Sequence, residues 1–119
     1  MNEYQETLKR KMDEYVHFVY KVTKKFPKEE IYGTTSQFRR SSLSVILNYI
    51  EGYARRKPLV RLNFLETSYE SLKESKYLLE FCKEEKYLDK QECEFGTKLT
   101  EEIGAMLWRE MKHLDDRNI

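Results

Sequence analysis

The stretch Thr35-Ser36-Gln37-Phe38-Arg39-Arg40-Ser41-Ser42-Leu43-Ser44-Val45-Ile46-Leu47-Asn48-Tyr49-Ile50-Glu51-Gly52-Tyr53-Ala54 decides the fold. Placed at about 100° per residue, Phe38, Ser42, Leu43, Val45, Ile46, Leu47, Tyr49, Ile50, Tyr53 and Ala54 spread over roughly 200° of arc. One neighbouring helix cannot cover so wide an apolar face. The remaining arc carries Gln37, Arg40, Ser41, Ser44, Asn48, Glu51, Gly52 and Arg55. The spacing therefore predicts a helix buried on most sides that keeps one continuous polar strip. Thr34-Thr35-Ser36-Gln37 has the form of a capping box, which places the helix start at Thr34 or Thr35.

Working towards the N-terminus, Tyr4, Leu8, Met12, Tyr15, Val19, Val22 and Phe26 recur at intervals of three and four. They fall within roughly 80° of one another, a narrow seam of the kind that packs two helices together. Pro27 closes this segment, because the residue before a proline is pushed out of the α region. Towards the C-terminus, Arg55-Arg56-Lys57-Pro58 breaks the chain. A third helix then presents Leu62, Leu65, Tyr69, Leu72, Leu79 and Cys82, and stops near Tyr87-Leu88. Asp89-Lys90-Gln91-Glu92 is a second capping signature. It opens a fourth helix whose face is Phe95, Leu99, Ile103, Met106, Leu107 and Leu114. The tail from Asp115 to Ile119 is expected to fray.

Helices over about 3–26, 35–56, 59–86 and 90–114, joined by short connections, must run antiparallel to their neighbours. The prediction is a single all-α domain over 1–119, an antiparallel up-down-up-down four-helix bundle. Composition agrees. With four Gly and two Pro in 119 residues the chain lacks the turns of a β-sandwich or barrel. Aromatics at 13% exclude a disordered chain.

No apolar run approaches the roughly 18 residues of a membrane span. Met1-Asn2-Glu3-Tyr4-Gln5-Glu6 is polar and acidic, unlike the start of a signal peptide. Cys82 and Cys93 lie in helical segments, the usage of reduced thiols in a cytoplasm. A cytoplasmic protein is expected. His17 and His113 have no partner at zinc-ligand spacing, and there is no CxxC and no Gly-rich phosphate loop. No nucleophile-and-base signature is present either. Neither catalytic residues nor a metal, a cofactor or a small-molecule substrate is expected.

Charge is more informative. The formal net charge of +1 divides along the chain into −1 over residues 1–20, +7 over 21–61 and −5 over 62–119. Arg39, Arg40, Arg55, Arg56, Lys57 and Arg61 are the candidates for a nucleic-acid patch, because the guanidinium fork matches phosphate oxygens. The competing reading pairs this basic segment with the acidic third and fourth helices, within a subunit or across an interface. The polar strip of Gln37, Arg40, Ser44, Asn48, Glu51 and Gly52 stacks at intervals of three and four, so its members can hydrogen-bond in sequence. Gly52 inside a helix costs about 1 kcal/mol relative to Ala, which points to close backbone approach or a helix end. The surplus apolar arc of the second helix, together with Trp108 off its helix's stripe, argues for a homo-oligomer.

The segment from Thr35-Ser36-Gln37-Phe38-Arg39-Arg40 through Ser44-Val45 to Asn48, Glu51-Gly52-Tyr53 resembles the central motif of the bacterial 23S rRNA-intervening-sequence proteins. That motif is a TSQ-hydrophobic-RR segment, then S-V/I, then an NIAEG-like stretch. Phe64-Leu65, Ser71-Leu72, Glu74 and Tyr87-Leu88 fit the family's third helix. Tyr49-Ile50, Glu70 and Lys76-Tyr77 depart from it. The resemblance spans roughly residues 8 to 114. It implies an up-down four-helix bundle that associates as a ring-like homopentamer, in a family whose molecular role is not established. A similar pentameric bundle is a nucleic-acid-binding accessory protein of diversity-generating retroelements, which adds RNA or DNA to the expected partners. Two functions thus stand after the sequence: a non-enzymatic homo-oligomer that contacts nucleic acid, or a structural, protein-interaction module with no nucleic-acid ligand.

Overall fold

A computed structural model describes residues 1–117. It contains four α-helices: α1 (Glu3–Thr23), α2 (Thr34–Tyr53), α3 (Pro58–Glu84) and α4 (Lys90–Arg117). One short 3₁₀ turn, Lys28–Glu30, lies between α1 and α2, and no strand occurs among the described residues. Contacts join α1 to α2, α2 to α3, α3 to α4 and α4 back to α1. Across the diagonals the backbones stay apart among the described residues and side chains span the gap, the Tyr15 hydroxyl of α1 meeting that of Ser75 of α3 at 2.6 Å. The helices therefore stand at the corners of a square, each antiparallel to the next, in a body of 47 × 25 × 20 Å.

The narrow stripe of α1 is buried from Leu8 to Phe26, with only Tyr4 half-exposed. The helix itself ends at Thr23, three residues before the predicted stop, yet Phe26 still packs in the core against Phe38 and Tyr87. Thr23 turns its hydroxyl back to the Val19 carbonyl at 2.7 Å, tightening the last turn. At the start of α2 the expected capping box does not form. Gly33 is the N-cap, and the Thr34 hydroxyl donates to Glu30 Oε2 instead. The predicted box at α4 does form: Glu92 N–H donates to Asp89 Oδ1 at 2.7 Å, and Asp89 N–H donates to Glu92 Oε1 at 3.0 Å. α3 stops on Lys86, which takes a positive φ of 64° and lets the Tyr87 N–H reach the Cys82 carbonyl at 2.8 Å. α4 continues through Arg117 rather than fraying from Asp115. Asn118 and Ile119 lie outside the described residues.

Two expectations about faces change. Phe95, placed on the inner stripe of α4, is 46% exposed and lies over Phe18 with ring centroids 5.1 Å apart. Gly96 takes the inward position, because a Cβ there would come within 2.7 Å of Leu79 Cδ2 and 2.9 Å of Phe18. Close approach at the glycine fixes the rotation of α4 and swings Phe95 outward. On α2, burial is narrower than the 200° apolar arc: Leu43, Leu47 and Ile50 are exposed.

α2 and α3 meet through small side chains. The Ser68 hydroxyl donates to the Val45 carbonyl across the contact at 2.6 Å, and Ser44 and Ser71 share a hydrogen bond of 2.8 Å. At Gly52 an added Cβ would stand 2.7 Å from Leu65 Cδ1 and 3.3 Å from the Arg61 carbonyl. The cost of a mid-helix glycine is thereby explained by close approach. Every buried side-chain polar atom among the described residues has a partner.

Candidate nucleic-acid interface

The polar strip of α2 lies along α3. Arg40 donates to Gln37 Oε1 at 2.9 Å and to Glu74 Oε2 at 2.8 Å. The Asn48 amide donates to both the carbonyl and the hydroxyl of Ser44, each at 2.9 Å. Glu51 pairs with Arg55 at 2.5 Å, in the orientation that suits the helix dipole. The strip thus works as the seam of a helix pair, with Ser41 and Gly52 fully inside it.

The six basic candidates fall into two groups separated by most of the length of α2, about 20 Å at 1.5 Å per residue. Arg39 and Arg40 lie near the helix start. The Arg39 Nε donates to the Thr23 hydroxyl at 2.8 Å, and its guanidinium lies 4.9 Å over the Tyr20 ring. Arg55, Arg56, Lys57 and Arg61 gather at the α2–α3 turn. Arg61 is built into that turn: Nη2 donates to the Arg55 carbonyl at 2.8 Å, Nε reaches the Gly52 carbonyl at 3.4 Å, and the fork lies 4.6 Å over Tyr53. It serves the orphan carbonyls at the end of α2. Arg55 is held by Glu51 and by the Phe64 ring at 5.0 Å. Arg56 and Lys57 are exposed, and among the described residues their side chains have no ion-pair or hydrogen-bond partner. At the opposite end of the bundle Lys21, Lys24 and Lys28 are exposed beside Tyr32, which is 95% exposed. Of the basic residues there, Lys25 is paired to Glu92 at 2.5 Å.

A buried polar cluster near the α2–α3 turn has no counterpart in the sequence reading. The Glu110 carboxylate of α4 is only 9% exposed and accepts hydrogen bonds from the Tyr49 and Tyr53 hydroxyls of α2. The Gln5 amide of α1 donates to it at 3.2 Å. Burial, and then the neighbouring carboxylate, raises the pKa of both tyrosines, so each stays a neutral donor. The only signal in sequence is the four-residue interval between Tyr49 and Tyr53, which puts both hydroxyls on one face. Through Tyr53, the cluster also underlies Arg61.

Among the described residues, no group of three or more His, Cys, Asp or Glu could hold a metal ion. Cys82 and Cys93 are both buried and free, and burial pushes the Cys82 thiol up to about 12. No helix among the described residues is long and apolar enough to cross a membrane.

The family model of the 23S rRNA-intervening sequence protein matches residues 5–109. The chain belongs to this family. A crystal structure of a protein of unknown function from the S23 ribosomal protein family of Bacteroides thetaiotaomicron VPI-5482 superposes with a TM-score of 0.85. It is 21% identical, and the match covers 92% of this chain and 98% of that one. At that identity the likeness carries the fold. No curated protein sequence matches the chain. The matched residues include the whole of the α2–α3 seam, from Arg40 on Glu74 to Gly52 against Leu65.

Proposed function

We propose that this 23S rRNA-intervening sequence protein is a non-enzymatic, cytoplasmic homo-oligomer that binds the phosphate backbone of RNA or DNA. The oligomer is a pentamer by its resemblance to the family. Binding uses the α2–α3 turn. The observation that carries this reading is the turn itself. Arg56 and Lys57 are exposed with no side-chain partner among the described residues, while Arg55 and Arg61 are fixed beside them by Glu51, Phe64, Tyr53 and backbone carbonyls. Cations held in place lose little entropy on meeting phosphate. Repetition of the turn around an oligomer multiplies weak single contacts. Contacts to phosphate alone give little base specificity and a steep salt dependence.

The test is fluorescence anisotropy of a structured RNA and of a single-stranded DNA. Three phosphate contacts per subunit predict about a 40-fold loss of affinity between about 50 and 200 mM salt. Arg56→Glu with Lys57→Glu should cost more than about tenfold. Affinity indifferent to salt and to this pair of reversals overturns the reading.

The second reading, a protein-interaction module with no nucleic-acid ligand, draws on the engagement of Arg39, Arg40, Arg55 and Arg61 inside the subunit. It predicts that neither nucleic acid binds at any salt concentration, while the assembly persists.

A further inference from the structure

The end of the bundle opposite the α2–α3 turn carries a second set of cations, and one of them is held in an unusual way. Arg39 is anchored from two sides. The buried Thr23 hydroxyl gives its proton to the Val19 carbonyl, which leaves its oxygen to accept from Arg39 Nε at 2.8 Å. The Tyr20 ring lies under the guanidinium, its centre 4.9 Å from the central carbon. Neither anchor uses an Nη, and neither Nη has a partner among the described residues. In Arg40, Arg55 and Arg61 an Nη is already engaged, by Gln37 and Glu74, by Glu51 and by the Arg55 carbonyl. Of these four arginines, Arg39 alone combines a fixed position with an open fork. The open edge is the one that takes two oxygens of a phosphate.

The connection from α1 to α2 surrounds this fork with further cations and one bare ring. Lys24 follows Tyr20 by one helical turn, with Lys21 beside it, and Lys28 lies on the 3₁₀ turn. All three are exposed and have no side-chain partner among the described residues. Tyr32 is 95% exposed and meets no other ring among the described residues, so both of its faces are open. Residues 20–39 carry five basic groups against Glu29 and Glu30, a formal +3. The α3–α4 turn packs alongside through Tyr87, which donates to Glu30 and stacks near Phe26. Its residues 83–92 hold three basic and four acidic groups, so the end as a whole stays at +2.

We propose that this end binds single-stranded nucleic acid, with the Arg39 fork and the three lysines on its phosphates and Tyr32 stacked on an unpaired base. The proposal rests on the reading that the ligand is nucleic acid, but not on the α2–α3 turn as its site. A fork and lysines would also receive the carboxylates of an acidic protein. A ring open on both faces calls for a flat partner, which a nucleobase supplies and an acidic side chain does not. Inside a duplex the base faces are covered by their neighbours, so the strand must be single. The pinned fork adds orientation, because a guanidinium already held in place loses little entropy when a phosphate arrives.

The experiment uses the full chain and two probes, a fluorescein-labelled oligouridylate and the same strand annealed to oligoadenylate, followed by anisotropy. Tyr32→Ala should weaken binding of the single strand by about 5- to 150-fold, the worth of one base stacked on an aromatic ring. It should leave the duplex unaffected, and Tyr32→Phe should bind both as wild type does. Tyr32 touches no ring and is almost fully exposed, so the fold should survive, which circular dichroism verifies. Lys24→Gln with Lys28→Gln should lower the slope of log affinity against log salt by about 1.4 on the single strand. Arg39→Lys keeps the charge and loses the fork, so affinity should fall at an unchanged slope. A Tyr32→Ala protein that binds the single strand as well as wild type overturns the proposal, as does polyglutamate that displaces the strand at equal charge. If Arg56→Glu with Lys57→Glu weakens binding while the Tyr32, Lys24 and Lys28 variants do not, this site fails and the α2–α3 turn stands. The converse result keeps this site and removes the turn. Wild type that binds neither probe at any salt concentration overturns both.

Discussion

Replacing Gly52 by Ala tests how tightly α2 and α3 are joined. In an exposed helix the change would gain about 1 kcal/mol, because Ala is the better helix former. Here the new methyl would stand 2.7 Å from Leu65 Cδ1, 3.1 Å from Phe64 Cβ and 3.3 Å from the Arg61 carbonyl. The last two belong to, or sit next to, the backbone of α3 and cannot swing aside. Leu65 is fully buried, so its methyl groups cannot turn away into solvent. Overpacking of this kind costs about 1–3 kcal/mol. The clash offsets or outweighs the propensity gain, and a net loss of up to about 2 kcal/mol is expected. Urea unfolding should report it as a fall in midpoint at constant slope. Leu65→Val, which removes the nearest methyl group, should cost about 1 kcal/mol alone. In combination with Gly52→Ala it should cost about 1 kcal/mol less than the sum. A stabilised Gly52→Ala protein, or strict additivity with Leu65→Val, would refute the claim that the glycine is there for close packing.

Two further outcomes follow from the buried cluster. Glu110→Ala leaves the fully buried Tyr49 hydroxyl without its acceptor and should lower stability by about 2–3 kcal/mol in the same urea assay; unchanged stability would show that the carboxylate is not bonded as described. Alkaline unfolding gives an independent measure. Tyr15, Tyr49 and Tyr53 have folded-state pKa values raised above their ordinary 10.0, chiefly by burial. Their protons are lost from the unfolded chain first, so stability is full below pH 10 and declines above it, by up to about 1.4 kcal/mol per pH unit for each tyrosine. Tyr49→Phe should flatten that decline when unfolding midpoints are followed between about pH 9 and 11. An equal slope in wild type and variant would contradict the assignment.

What could be read from the chain depended on the range of the interaction. The α1 stripe and the Asp89–Glu92 box are local, within a few residues, and both stand in the structure as the spacing suggested. The start of α2 misled because Thr34 has a competing acceptor in Glu30, four residues earlier, beyond the reach of a box template. Phe95 misled because side-chain hydrophobicity was weighed and backbone proximity was not; Gly96 contributes no apolar surface yet sets the helix rotation. Glu110 was invisible among the charges of α4, since its partners Tyr49, Tyr53 and Gln5 lie 61, 57 and 105 residues away. The basic residues were legible as a run of charge, but α2 lies between them and parts Arg39 and Arg40 from Arg55, Arg56, Lys57 and Arg61.

The place of Arg61 bears on how any survey of those charges is interpreted. Its fork closes the end of α2 on two carbonyls and covers Tyr53, so deleting it disturbs the turn before any ligand arrives. An alanine scan would score Arg61 as a binding residue for the wrong reason. Arg61→Lys separates the causes: the charge survives, but the planar two-carbonyl bridge does not. Affinity that falls with this substitution while Arg56→Lys is silent would assign the defect to the shape of the turn. In this protein an arginine's contribution to the surface potential and its contribution to recognition are separate quantities, and position 61 is where they diverge.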